Sequence, residues 1–392
     1  MKVTKGSKMR NFFKSKQWLE YLFVLFAAVV AVGPLIYLMI WTSDQNDFRM
    51  HIDWARQILR HQEDVPVAVI VHALWQWLVY FTQVVVRQSW NLSALLVTLG
   101  SVIATVLIYY SKLRKNISGV LSGLLSIGLL VIGPMGLIIL FDVDFGGYIY
   151  PNVYHNPTYL LLQPLAILQF FFAVDSLGEK KTGWLGVLVT ALVSGAAVYA
   201  KPNYIICLMP ALALIMLIRL LKKQPMDWTR ILVGIVLPSA ALLAWQFYLT
   251  YANGSDSRIV WMPFEVMKIQ GKYLLPKFFL SIGLPLLVTI GYWKQAIRDR
   301  RMQLGWLTFA VGSFFTYFLA ESGSRFSYGN FFWSSEIALL ILFVATVLFL
   351  SEKKLLEHKP ALRGAILIAG VIHVYFGLAY YFSQIFYFIE IR

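Results

Sequence analysis

Residues 66–86 read PVAVIVHALWQWLVYFTQVVV, and whether this stretch crosses a bilayer fixes the sidedness of everything after it. It is long enough to span, since about 20 apolar residues in a helix cover a hydrocarbon core of roughly 30 Å. Yet it opens on Pro66 and carries His72, Gln76 and Gln83, polar groups that hydrocarbon cannot satisfy. Around it the chain is written for lipid. Hydrophobic residues make up 59% and charged residues only 14%, where a soluble domain carries about 25% charged. Apolar runs suited to spanning recur at about 18–41, 91–110, 117–141, 158–176, 184–200, 204–221, 230–250, 274–293, 304–320, 336–350 and 364–388. The expected fold is an all-α polytopic membrane protein, one transmembrane domain over 1–392 with about 11 transmembrane helices.

Loop charge arbitrates the doubtful stretch. If 66–86 stays at the surface, the clusters SKLRK, GEKK, RLLKKQPMDWTR, KQAIRDRR and SEKKLLEHKPALR all fall on the side of the basic tail 1–17. That is what the positive-inside rule demands, and a crossing at 66–86 would move every cluster outward. The surface arrangement puts most of the 34 Lys and Arg inside and most of the 19 acidic residues outside. The N-terminus is then expected in the cytoplasm and the C-terminus outside, with two juxtamembrane helices in the outer loop 42–90. The first apolar run is long and lacks a small-residue cleavage site, so it reads as an uncleaved helix rather than a signal peptide.

The net charge of +15 becomes a topology signal and an attraction to anionic lipids of the bilayer, not a nucleic-acid footprint. Cys207, alone in an apolar run, excludes an internal disulfide and a cysteine metal cluster. There is no Walker loop, H-E-x-x-H or G-x-S-x-G, and the inner loops are too short for a nucleotide-binding domain.

The chemistry then lies in the outer loops. In TSDQNDFRMHIDWARQIL, residues 42–59, Phe48, Ile52, Ala55, Ile58 and Leu59 share one helical face suited to the interface plane. Asp44 and Asp47 stand just after the first span. The second outer loop, 142–157, belongs to FDVDFGGYIYPNVYHNPTY. Its Asp142 and Asp144 form a D-x-D pair, which offers oxygen ligands to a hard divalent cation such as Mg2+ or Mn2+, or merely supplies loop acids. His155 suits a metal, a phosphate or a proton. Asn156 before Pro157 suits a helix N-cap with proline in the first turn.

Lys201, in AVYAKPNY beside Tyr204, sits at a span end where an isolated ammonium is unfavourable and a phosphate would resolve it. Arg258 in GSDSRIVW and Arg325 in ESGSRFSYGNFFW carry forked donors suited to phosphate. The plainer readings are snorkelling, or ion pairs such as Lys201 with Asp142 and Arg325 with Glu321. His51 is expected to pack on the juxtamembrane helix, and His61 to be a solvated neighbour of Glu63 and Asp64. Trp261, Phe264, Tyr273, Phe326, Tyr328 and Trp333 fit an interfacial aromatic belt.

A first span, an aspartate, two juxtamembrane helices and a second span: this organisation resembles the GT-C membrane glycosyltransferases, over the half of the chain up to about residue 205. The resemblance implies a polyprenyl-phosphate-sugar donor, a lipid or glycan acceptor, and inverting transfer at the outer face of a bacterial inner or plasma membrane. It implies that Asp47 is the catalytic or metal-binding carboxylate, with Asp44 the alternative. By position Asp142 and Asp144 match that family's second-loop acidic pair, a divalent-cation site with Asp47. His155, Asn156, Lys201, Tyr204, Arg258 and Arg325 would bind substrate. The chain departs from the family where many members read H-P-P-L after the first juxtamembrane helix, for here stands EDVPVAVIVHALWQW.

Three other readings stay open. A lipid or small-molecule transporter or flippase predicts ionisable residues in mid-span and broken helices, whereas Pro34, Pro134, Pro210, Pro238 and Pro285 interrupt apolar runs without adjacent charge. A polymerase or ligase of lipid-linked oligosaccharide would use close chemistry on the same face. A non-catalytic assembly subunit would use the outer loops only to hold a partner.

Overall fold

The computed structural model describes residues 17–42, 46–59, 67–87, 89–136, 138–139, 142–143, 145–252, 257–353 and 359–390. In chain order the helices are α1 (Gln17–Trp41), α2 (Asp47–Leu59), α3 (Val67–Ile70), α4 (Leu74–Val86), α5 (Trp90–Leu113) and α6 (Gly119–Val131). The short antiparallel pair β1 (Ile138–Ile139) and β2 (Asp142–Val143) follows. Next come α7 (Pro157–Ser176), α8 (Trp184–Ala200), α9 (Asn203–Leu221) and α10 (Arg230–Ala252). The remainder is β3 (Ile259–Trp261), α11 (Glu265–Gln270), α12 (Leu274–Ser281), α13 (Gly283–Gly291), α14 (Trp293–Ala296), α15 (Arg300–Phe318), β4 (Leu319–Glu321), α16 (Phe332–Lys353) and α17 (Pro360–Glu390).

Helices dominate because in lipid each backbone N–H and C=O must find its partner within the segment. Among the described residues seven helices are long and apolar enough to cross a membrane, or eight if α12 and α13 form one bent span. The protein is an all-helical polytopic membrane protein. Its central post is α16, where Ile337 through Phe343 are each fully enclosed. A helix apolar on every face belongs inside the bundle. α15 packs along it, with Gly312 set against the Ser334 backbone so that the two helices approach closely.

Three apolar stretches are interrupted, two of them expected spans and one the juxtamembrane segment 66–86. The stretch 66–86 is not one helix: a break at 71–73 divides α3 from α4. At 13 residues α4 reaches about 20 Å, short of the hydrocarbon thickness. The run 117–141 is helical only over Gly119–Val131, because Pro134 has no N–H to continue the helix. The extended backbone that follows finds partners in its neighbours. Gly133 N–H donates to the His373 carbonyl at 3.1 Å, Met135 N–H to the Leu280 carbonyl at 3.0 Å, and Asn152 Nδ2 to the Ile132 carbonyl at 3.0 Å. The run 274–293 bends by 63° at Ile282, between α12 and α13. In α10 the turns over Arg230–Val236 widen to a π-helix just ahead of Pro238.

The loops segregate into two ends. At one, Gln246 Nε2 donates to the Val71 carbonyl (2.7 Å) and the Val198 carbonyl (3.0 Å), and Trp77 Nε1 to the Tyr199 hydroxyl (3.1 Å). β3 pairs with β4 at the same end. At the other end lie charged contacts between helix termini: Arg114 with Glu20 at 3.0 Å, Arg230 with Asp175 at 3.9 Å and Arg301 with Glu352 at 2.7 Å. The α3–α4 segment thus lies against the ends of α8 and α10.

Candidate active site

Four chain segments meet at the first of these ends. α2 starts where it does because Asn46 caps it: its Oδ1 accepts the Arg49 N–H at 2.9 Å, and its amide donates to the Met39 carbonyl in α1. Asp47 therefore occupies the first turn of α2, where the helix dipole favours a carboxylate. α7 starts at Asn156 for the same reason, with Pro157 at its first position. Asn156 Oδ1 accepts the Tyr159 N–H at 2.9 Å and the Thr158 hydroxyl at 2.7 Å. Its Nδ2 is left to point outward and donates to Asp47 Oδ2 at 2.8 Å. One residue is both the helix cap and the holder of the aspartate.

Lys201 follows α8 in extended backbone, as Pro202 requires of the residue before it. Its Nζ donates to Thr158 Oγ1 at 3.5 Å and lies 4.2 Å from the centre of the Trp333 ring. The His155 ring is 5.6 Å from the same tryptophan. Burial pushes the Lys201 ammonium down to about 8, against the opposing pull of the Asp47 and Glu336 carboxylates. His155 is also lowered, by burial first, with Asp47 opposing and Lys201 reinforcing.

Two further imidazoles stand behind. His51 Nδ1 is 2.8 Å from Gln76 Nε2, and the ring packs edge-on against Trp54 and Trp75. His72 Nδ1 is 3.3 Å from Gln246 Nε2. Burial, with the Lys201 charge second, drives both down to about 3. The centre therefore sets two carboxyl groups, Asp47 and Glu336, around one ammonium, ringed by imidazoles, amides and an indole. Such a set holds an anion beside a proton acceptor.

No family model, curated protein or solved structure matches this chain.

Of the residues read from the sequence, Asp47, His155, Asn156 and Lys201 come together here. Arg325 does not join them: its Nη1 pairs with Glu321 at 3.2 Å, the ion-pair alternative, and Glu321 also accepts from Tyr251 and Asn330. Arg258 has an exposed side chain and is fixed through its backbone N–H, which donates to Ser322 Oγ at 2.9 Å. Tyr204 is fully enclosed in α9, and its hydroxyl has no hydrogen-bond partner. His51 packs on the juxtamembrane helices as expected.

Asp142 is placed by its backbone in β2, opposite Ile139. Its side chain, Asp44, Asp144 and the group His61, Glu63 and Asp64 lie outside the described residues. Among the described residues no three His, Cys, Asp or Glu side chains converge as ligands of one ion. Asp47 accepts from the Asn156 amide, and the other carboxylates expected to hold a cation with it, Asp142 and Asp144, have side chains outside the described residues.

Trp333, Thr158 and Glu336 were not legible as site residues. Trp333 fitted the aromatic belt, and the threonine is one of many. Glu336 left one signal, a lone acid opening the apolar run of WSSEIALL.

Proposed function

We propose that the protein is a membrane glycosyltransferase of the GT-C type, with about 11 crossings and the Asp47 end outside. It transfers a sugar from a polyprenyl-phosphate donor to a lipid or glycan acceptor. The observation that carries this reading is the pairing of Asp47 with Asn156 in a cluster that also holds Lys201. A phosphate leaving group needs a cation in a place poor in water, and an attacking hydroxyl needs a base on the same side of the bundle.

In this reading the acceptor hydroxyl oxygen bonds to the anomeric carbon as the bond from that carbon to the phosphate oxygen breaks. The hydroxyl proton passes to Asp47, whose Oδ2 is already fixed by Asn156 and whose Oδ1 takes the new proton. The phosphate keeps the bonding electrons and is met by the Lys201 ammonium. One displacement without a covalent sugar intermediate inverts the anomeric centre. Thr158 and Trp333 hold the Lys201 side chain in place, and Asn156 holds the base.

The test is transfer from a panel of polyprenyl-phosphate sugars in nanodiscs, comparing wild type with Asp47→Asn and Lys201→Gln, each with and without chelator. The reading expects loss of transfer in Asp47→Asn with donor binding retained, and weakened donor binding in Lys201→Gln. Full activity in Asp47→Asn would sink it. Loss of activity in chelator would assign the leaving phosphate to a cation on Asp142 and Asp144.

One observation favours a lipid or small-molecule transporter as the second reading. The bent pair α12–α13 is a broken helix with a fully buried Lys277 in its first half. Its ammonium donates to the Gly146 carbonyl and lies 5.2 Å from the Tyr148 ring centre, which suits a structural latch better than a moving charge. No transfer from any donor would move the assignment to this reading.

A further inference from the structure

At the end of the bundle away from Asp47, α9 closes on RLLKK. Arg219, in its last turn, is only 9% exposed. Its Nη2 donates to the Pro225 carbonyl at 3.0 Å, while its Nε is buried without a hydrogen-bond partner. Among the described residues no carboxylate pairs with it. A buried guanidinium with an unfilled donor is costly unless an anion completes it.

Arg219 lines a concavity of about 640 Å³ together with Lys222, Arg298 and Arg300, against a single acid, Glu179. Asp299, between Arg298 and Arg300 in sequence, is already bound by Arg301 at 2.7 Å, and the same arginine reaches Glu352. Ile215, Ile218 and Leu307 give the same chamber an apolar side. Through Ile297, Gln303 and Leu307 the chamber adjoins a second concavity of about 430 Å³, apolar and faced by Leu286, Trp293 and Trp306. A basic chamber thus continues into a hydrocarbon-lined groove between α13 and α15.

Basic loops at a membrane surface attract headgroups diffusely. That does not account for a buried, unfilled arginine at the floor of a chamber, nor for the groove beside it. The forked donors of arginine match phosphate oxygens, and the groove matches an acyl or prenyl chain. We infer that this chamber binds one phosphate-bearing lipid, with its phosphate among Arg219, Lys222, Arg298 and Arg300 and one hydrocarbon chain in the groove. The site is independent of the chemistry at the Asp47 end.

The full chain in neutral detergent is titrated with short-chain phosphatidic acid, with phosphatidylcholine of the same chain length and with inorganic phosphate, read by native mass spectrometry. Phosphatidic acid saturates at one molecule per chain, and phosphatidylcholine binds about tenfold more weakly or worse. The double variant Arg298→Gln/Arg300→Gln, at two exposed positions that keep the fold, weakens phosphatidic acid by about tenfold or more. Leu286→Trp, which fills the groove and does not line the basic chamber, weakens phosphatidic acid and leaves inorganic phosphate unchanged. Inorganic phosphate binding as tightly as the lipid, with Leu286→Trp altering neither, would make the ligand a soluble phosphate and overturn the lipid assignment. Wild-type affinity for phosphatidic acid in the double variant would remove the site altogether.

Discussion

Asn156 Nδ2 donates to Asp47 Oδ2 at 2.8 Å, across 109 residues of chain. The same side chain caps α7 through its Oδ1, so the cap and the grip on Asp47 can be separated by substitution. Asn156→Ser keeps a capping oxygen and loses the donor. It should melt within about 1 kcal/mol of wild type while transfer falls by about tenfold or more. Asn156→Ala loses both and should melt lower by about 1 kcal/mol more. Equal transfer in Asn156→Ser and wild type would show that Asp47 needs no holder.

Asp47→Asn leaves the shape of the site and the Asn156 contact largely intact. Removing a general base costs about 10² to 10⁴ in rate. Single-turnover transfer should fall by that range while donor binding, measured separately, stays within about twofold. A parallel loss of donor binding would mean that Asp47 holds the substrate rather than the proton.

How much of this was legible beforehand differs from residue to residue. The break within 66–86 had a local signal, for His72 stands in the interruption between α3 and α4, whereas the contacts of this stretch with Gln246 and Tyr199 lie far along the chain. The end of α6 at Val131 was signalled by Pro134, but what rescues the broken backbone, His373 and Leu280, lies far along the chain. For Asn156 the dipeptide Asn-Pro showed the cap, and nothing local showed that its second nitrogen meets Asp47. For Arg325 the four-residue spacing showed the pair with Glu321. Trp333 and Glu336 reach Lys201 only through the packing of α16 against the ends of α7 and α8, which no window of sequence contains.

The pH dependence of donor use should follow Lys201. Its folded pKa is pushed down to about 8 from the usual 10.5, so between these values the folded chain has lost a proton that the unfolded chain keeps. Stability rises across that window, while the positive charge proposed to meet the donor phosphate disappears. The KM for a polyprenyl-phosphate donor should therefore climb as pH passes about 8. In Lys201→Arg, which stays charged, this alkaline limb should vanish. A limb unchanged by the substitution would assign it to another group.

His51 and His72 give the opposite flank. Both are held near 3, against 6.5 in the unfolded chain. Below about 6.5 the unfolded chain takes up protons that the folded one refuses, so stability is complete above that pH and is lost as pH falls toward 3. At pH 5 each imidazole accounts for up to about 2 kcal/mol. Thermal unfolding in detergent should show this slope, and it should flatten in His51→Gln. An identical slope in the variant would locate the acid sensitivity elsewhere.

Gly377 and His373 on α17 decide whether the broken third span survives in the membrane. The Gly377 backbone lies so close to the Val131 carbonyl and the Gly133 amide that any Cβ would collide with main chain, which cannot swing aside. His373 Nδ1 donates to the Gly133 carbonyl at 2.6 Å, and its Nε2 accepts the Leu284 N–H at 3.1 Å. One imidazole therefore satisfies both the irregular backbone at Gly133 and a free N–H in the first turn of α13. His373→Leu leaves a carbonyl and an amide unmade, each costing about 1 to 3 kcal/mol. That variant should melt well below wild type, while His373→Gln, which can donate and accept, should recover part of the loss. Gly377→Val should yield no monodisperse protein in detergent. Normal melting of both Gly377→Val and His373→Leu would mean that the third span holds together without α17.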